Sequence, residues 1–370
     1  MSDPGPDDPV VVWVDGRLRD PEDAGLHWSD HGITVGDGVF ETIKVTGRTP
    51  FALAPHLDRL ERSAAGLGLE LPPRGVIEAA VEEASARWAD ALRERAAAVA
   101  DAGAAGNTEA KEAPEAVGRL RLTVTGGPGP AGSERGTDGP TLMVTVSGMD
   151  LRRDPTPVLV VPFTRNESGA LAGLKTTSYA ENVVALALAR EQGASEAIFA
   201  NTRGELCEGT GTNVFLGMGG RLLTPPLDSG CLDGVTRRLL MEALARAPQG
   251  DASGVEVLEQ ALPISSLAAA DEAFLTSTGR EVQPISHVDG VAMPTAPGPL
   301  TLAAQAARDN HDIPEAPGAS GGADVDHVAY HHPVDLRALA GLDEQGTVVV
   351  EVDRSALDLT CRQMHLHVAP

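Results

Sequence analysis

The chain has 370 residues and a formal net charge of −24, long enough to bury a large core and to divide into two domains. Such an acidic balance argues against nucleic acid and against an anionic membrane surface, both of which call for basic patches. Cys207, Cys231 and Cys361 are its three cysteines, too few and too far apart for a disulfide framework or a cysteine-based zinc site.

The opening MSDPGPDDPV has no basic stretch followed by an apolar one, and no apolar run reaches bilayer length, so a soluble, cytoplasmic protein is expected. From residue 10 the pattern is that of strands. VVWVDGRL turns at Asp15–Gly16 and VFETIKVTGRTPFAL at Thr46–Gly47, both hairpin signals. APHLDRLERSAAGLGL reads as a helix with Leu57, Leu60, Ala64 and Leu67 on one stripe, and a second helical pattern runs from about Arg74 to Ala100. Residues 101–116 are small and polar with Pro and Gly among them, the composition of an inserted loop. RLRLTVTG and TLMVTVSG alternate as strands around GPGPAGSERGTDGP. An N-terminal α/β domain over 1–150 and an inter-domain linker over 151–157 follow from this pattern.

VLVVPF opens the second half as a strand. Ser178 and Glu181 have the spacing of a capping box, opening a helix that ends near Gly193. SEAIFAN and LCEGTGTNVFLGMGGRLLTP read as strands, GVTRRLLMEALA as a helix and EAFLTSTG as a strand, completing a C-terminal domain over 158–312. Residues 313–370 are a linker and a small appended segment of unassigned function. His327, His331, His332, His365 and His367 lie in it. They could converge on a metal, but solvent-exposed histidines in a β-rich appendage are the simpler reading, and no metal is expected.

Only three lysines stand against 26 arginines, and one of them, Lys175, sits among small neutral residues just ahead of a helix start. An amine can form an imine with a carbonyl where a guanidinium cannot. A lysine lying in solvent at a helix start would look the same. Glu208, in LCEGTGTNVF, is a carboxylate at the edge of a strand beside Gly209 and Gly211. A buried carboxylate there needs a cationic partner, and a protonated pyridine nitrogen would serve; a solvent-facing hairpin glutamate is the alternative. Gly234, Val235 and Thr236 stand at a helix start suited to a phosphate. Thr276–Gly279 ends a strand with three hydroxyls, and Arg59 could add a charge-assisted contact.

In this order along the chain, GDGVFETIKV, HLDRLERSAAGLGL, LKTTSYAENVVALALA, EAIFANTRGELCEGTGTNVF, SGCLDGVTRRLL and EAFLTSTGREVQPI resemble the class IV, fold-type IV pyridoxal-phosphate enzymes. These include branched-chain and D-amino-acid aminotransferases and aminodeoxychorismate lyases. The resemblance implies a two-domain α/β (α+β) fold with pyridoxal 5′-phosphate in the cleft between a smaller N-terminal and a larger C-terminal domain, working as a homodimer on a small-molecule amino substrate. It implies Lys175 as the Schiff-base lysine and proton shuttle, and Glu208 as the partner of the ring nitrogen. Arg59, Val235, Thr236, Ser277 and Thr278 would surround the phosphate. Glu41, Tyr179 and Arg121 would lie on the substrate side. Asn182 has no role assigned.

Within that family the D-amino-acid enzymes resemble one another in an Arg-x-His pair, where this chain reads Thr125–Gly126–Gly127–Pro128–Gly129. The branched-chain signature is matched in part by Phe40–Glu41–Thr42–Ile43–Lys44 and Arg121–Leu122. VTGGPGP, GSERG and GDGVFET look most like the lyases, which release pyruvate from 4-amino-4-deoxychorismate to leave 4-aminobenzoate, a folate precursor. An aminotransferase on branched-chain or D-amino acids is the second expectation, and a non-catalytic ligand-binding homologue the third.

Overall fold

The computed structural model describes residues 8–103, 116–246 and 255–309, with two short strands further on. The chain starts with β1 (Val11–Val14) and β2 (Arg17–Arg19), a hairpin whose turn residues Asp15 and Gly16 both have positive φ, as a two-residue turn matched to strand twist requires. A one-turn helix α1 (His31–Thr34) leads into β3 (Gly38–Thr46) and β4 (Thr49–Pro50). The pairing of Thr46 with Thr49 puts that turn at Gly47–Arg48, one residue later than expected, because Gly47 takes the positive φ. Helices α2 (Leu53–Leu67) and α3 (Arg74–Gly103) follow, then β5 (Val117–Thr125) and β6 (Thr141–Gly148). The six strands form one antiparallel sheet in the order β2-β1-β6-β5-β3-β4.

Both helices cover one face of this sheet. Val39, Ile43 and Val45 of β3 and Leu120, Leu122 and Val124 of β5 pack there against Leu57, Leu60, Ala64, Ile77 and Trp88. Alternation fixes the rest, because successive strand residues point to opposite faces. Odd-numbered β3 residues go to the helical core. Phe40, Thr42 and Lys44 go the other way, with Arg119 and Arg121 of β5 beside them through the Thr42–Arg121 and Lys44–Arg119 pairs.

The second half begins with β7 (Thr156–Arg165), α4 (Ala180–Glu191) and β8 (Glu196–Asn201), a parallel strand pair joined by a helix. Then come β9 (Leu206–Gly209), β10 (Asn213–Met218), β11 (Arg221–Thr224), α5 (Val235–Arg246) and β12 (Val257–Glu259). The short α6 (Ser266–Ala269), β13 (Glu272–Ser277), β14 (Glu281–Val288), β15 (Val291–Ala292) and α7 (Pro299–Asp309) complete it. Nine strands make one mixed sheet, β12-β11-β10-β13-β14-β7-β8-β9 with β15 on β14. Stacked Phe215 and Phe274 anchor one core cluster with Leu240, Leu244 and Ala304 from α5 and α7.

The expected capping box is absent. Helix α4 starts at Ala180 without a side-chain cap. Ser178 instead donates to the Gly36 carbonyl at 2.9 Å, and Glu181 pairs with Arg165 at 2.7 Å. The serine is drawn off by the chain arriving from the first sheet.

β3 is the seam between the sheets. The Phe40 N–H donates to the Lys175 carbonyl and the Thr177 N–H to the Gly38 carbonyl, at 3.1 and 2.8 Å. Thr278 Oγ1 donates to the Thr42 carbonyl at 2.8 Å. At the far end Lys44 Nζ meets Glu281 at 2.6 Å, and the same buried carboxylate receives Arg308 at 2.9 Å and Arg153.

Of the loop expected at 101–116, residues 104–115 lie outside the described residues; 101–103 continue α3. In the appended segment β16 (Gly341–Leu342) and β17 (Val348–Val349) pair antiparallel; its histidines and Cys361 lie outside the described residues.

Candidate active site

A cavity of about 710 Å³ opens between the outward face of β3 and β5 and the loops at one end of the second sheet. Lys175, Glu208, Arg59, Val235, Thr236, Ser277, Thr278, Tyr179 and Arg121 all line it. Of the expected site residues, Glu41 alone does not.

Lys175 is held by its backbone: its N–H donates to Ser63 Oγ at 3.1 Å and its carbonyl takes the Phe40 N–H. The side chain is left to project, with Nζ 3.5 Å from the Tyr179 hydroxyl and 4.2 Å from the Phe40 ring centroid. Phe40 and Tyr179 meet edge to face, centroids 5.1 Å apart, which fixes both rings beside the amine.

Glu208 sits on β9 opposite Phe199. One carboxylate oxygen accepts the Leu232 N–H at 2.9 Å; the other lies 3.5 Å from Arg165 Nε. Burial pushes its pKa up, opposed in turn by Arg165, the Leu232 N–H and Lys175. Arg165 lies 4.2 Å over the Phe199 ring and its Nε is buried without a hydrogen-bond partner. A cationic N–H at Glu208 would offset the desolvation of this carboxylate.

Helix α5 starts at Val235, and its first-turn amides have no intrahelical acceptor, the makings of a phosphate cradle. Thr236 is on that turn. Thr276 Oγ1 is buried without a partner on the same wall, whereas the Thr278 hydroxyl proton is committed to Thr42. Arg59 Nη1 donates to the Asp233 carbonyl at 3.0 Å, two residues ahead of the helix.

Glu41 needs correction as a substrate-side residue. As an odd-numbered residue of β3 it points into the helical core, fully buried. Its oxygens accept Arg59 Nε at 2.8 Å and Nη2 at 2.6 Å, and it meets His56 Nδ1 at 2.7 Å. Arg59 and His56 together outweigh burial and hold the Glu41 carboxyl at a pKa of about 2. It braces Arg59 from behind. Arg121 does face the cavity, its guanidinium 3.8 Å over the Phe40 ring.

Sequence reasoning missed Phe40, His56 and Arg165. Strand alternation pointed to Phe40; the other two depend on contacts remote in sequence. Asn182 gains a structural role, donating to the Thr210 carbonyl at 2.6 Å and tying α4 to the turn after Glu208.

An amine, a buried carboxylate that Arg165 approaches without hydrogen-bonding and a helix N-terminus thus line one cavity, which suits the aldehyde, ring nitrogen and phosphate of pyridoxal phosphate. Among the described residues no helix is long and apolar enough to cross a membrane. The family model for amino-transferase class IV matches residues 38–288. The chain is 30% identical to a putative branched-chain-amino-acid aminotransferase of Methanocaldococcus jannaschii, over 76% of this chain and 88% of that one. It is 28% identical to the aminodeoxychorismate lyase of Bacillus subtilis, over 80% and 92%. A hypothetical aminotransferase from Mycobacterium tuberculosis, solved in its PLP-bound form, superposes with a TM-score of 0.65 at 28% identity, covering 81% of this chain and 98% of that one. The chain belongs to the class IV aminotransferase family and is a pyridoxal-phosphate-dependent enzyme.

Proposed function

We propose that this enzyme is a cytoplasmic lyase that converts 4-amino-4-deoxychorismate to 4-aminobenzoate and pyruvate. The observation that carries the reading is the charge in the cavity lining, where Arg119, Arg121, Asp150 and Arg152 are found. An aliphatic side chain would need apolar surface there; a substrate bearing carboxylates would not. The similarity to the Bacillus lyase supports the same choice.

Pyridoxal phosphate, when bound, supplies an aldehyde that takes up the substrate amine and an electron sink next to the amine-bearing carbon. Arg59, Val235, Thr236, Ser277 and Thr278 would hold its phosphate end, and Glu208 a proton on its ring nitrogen. Lys175 Nζ takes the proton from the amine-bearing carbon, a transfer by a positioned base that gives about 10²–10⁴-fold. Loss of that proton and cleavage of the ring carbon–oxygen bond to the enolpyruvyl group make the ring aromatic, and the released enolpyruvate takes up a proton at its methylene carbon to become pyruvate. Phe40 and Tyr179 wall the amine from water on one side.

Incubation with enzymatically prepared aminodeoxychorismate should give 4-aminobenzoate and pyruvate in equal amounts. No pyruvate, together with keto-acid exchange from valine or leucine, overturns the reading. That outcome would favour the second reading, an aminotransferase, which the Methanocaldococcus relative supports. The charged wall speaks against branched-chain substrates, and Thr125–Gly129 against the D-amino-acid pattern. A purely ligand-binding role is set aside by membership of an enzyme family.

The reading includes a homodimer. Trp28 is 79% exposed, Val183 65% and Val184 56%, apolar surface that a second copy would cover. Light scattering should give twice the chain mass; the mass of a single chain at micromolar concentration would remove the dimer.

A further inference from the structure

The cavity holds more positive charge than a phosphate and one carboxylate need. Arg121 reaches it from β5, opposite Thr42 of β3. Arg152 reaches it from the segment joining the two sheets, whose path is set by the Arg152 N–H donating to the Gly279 carbonyl at 3.0 Å. Thr278 is hydrogen-bonded to Thr42, so the two arginines flank the same Thr278–Gly279 turn from either side.

Neither has a carboxylate within ion-pair distance among the described residues, in contrast to Arg59 on Glu41, Arg165 on Glu181 and Arg280 on Glu196. Burial lowers the pKa of Arg121, with no carboxylate to oppose it. Burial lowers the pKa of Arg280 against the pull of Glu196, and the nearby Arg152 adds a smaller push in the same direction. The Arg121 guanidinium, unpaired and partly removed from water, carries a cost that an anion beside it would offset, and Arg152 is a second unpaired guanidinium lining the same cavity. Asp150 also lines the cavity.

Arg121 is placed for the first anion. Its guanidinium and the Lys175 amine share the Phe40 ring, at 3.8 and 4.2 Å from the centroid, so they are separated by no more than the sum of these distances. A substrate whose amine is at Lys175 can rest one carboxylate on Arg121. Arg152 stands on the far side of the turn.

We infer that Arg152 is a specificity-determining residue that binds a second carboxylate of the substrate, so that the enzyme selects dianionic over monoanionic substrates. The inference rests on the reading of this cavity as the substrate site, and does not depend on whether the chemistry is elimination or amino transfer. A charge-assisted pair of this kind is worth about tenfold or more in affinity.

The test is calorimetric binding to the cofactor-loaded protein, with succinate, glutarate and adipate compared with butyrate, none of which carries an amine to react. Wild type should bind at least one diacid about tenfold more tightly than butyrate. Arg152→Met should lose that preference while binding butyrate as before, and Arg152→Lys should recover part of it. Wild type that binds all four alike, or an Arg152→Met protein that keeps the preference, overturns the inference. Should Arg152→Met fail to fold, Arg152→Gln and Arg152→Lys decide by the same comparison. Wild type that makes 4-aminobenzoate without preferring diacids sinks the inference and leaves the lyase standing. Preference for diacids without pyruvate release does the reverse.

Discussion

Lys175→Ala should lower turnover by at least about 10³-fold and remove the visible absorbance of the cofactor-loaded protein, while the far-ultraviolet spectrum stays that of wild type. The effect is large because, among the described residues, the amine is the one cavity group able to bond the aldehyde and also to carry the proton. The fold survives because the contacts that seat this segment belong to its main chain: the N–H on Ser63 and the carbonyl under Phe40. Removing the side chain breaks no ion pair among the described residues, so no buried charge is stranded. Lys175→Arg should behave alike, since a guanidinium keeps the positive charge but forms no useful imine. An alanine variant that retains the coloured band would remove Lys175 from its assigned role.

Glu41→Gln should cost about 3–5 kcal/mol of stability at neutral pH, the range for breaking a buried ion pair from one side. The substitution leaves Arg59 charged, buried and short of its bidentate partner, and it loosens the group that reaches Asp233 beside α5. Cofactor affinity should therefore fall together with stability. The pH dependence has a definite sign. The folded carboxyl titrates near 2 against an ordinary value of 4.5. Its contribution, on the order of 3 kcal/mol, is then fully present above pH 4.5 and lost as pH falls toward about 2. Urea melts at pH 7 and pH 3 should show the gap between wild type and Glu41→Gln narrowing in acid. A gap of equal size at both pH values, or none at either, would contradict the brace. Burial meanwhile presses the neighbouring His56 toward its neutral form against the pull of Glu41, so the pair does not depend on a charged imidazole.

Much of the architecture was legible because the local signals agreed with the tertiary result. The Asp15–Gly16 turn, the Leu57–Leu60–Ala64 stripe and the alternating β5 and β6 each carry their own periodicity. The grouping of Lys175, Glu208, Val235 and Thr236 around one cavity was legible only through ordered motifs, since residues so far apart in sequence leave no local trace of their proximity. Glu41 shows where motif reasoning misled: its motif placed it with the substrate, whereas counting by twos along β3 turns it into the core and brings Phe40 out. Ser178 shows a limit of a different kind. Its spacing to Glu181 fits a cap, but the acceptor it finds, Gly36, is 142 residues away in sequence, and that competing bond wins. The contacts of Arg165 and the role of Asn182 were hidden for the same reason.

The stitching along β3 bears on how molecules come and go. Its start is bonded to the Lys175–Thr177 segment, its middle to Thr278 and its far end to a carboxylate gripped by Lys44, Arg153 and Arg308. Gaping of one sheet away from the other would have to rupture all three attachments in each catalytic cycle. Traffic is therefore left to side-chain swings and loop excursions around a rigid frame, and the aperture's fixed width itself becomes a filter on the size of what enters.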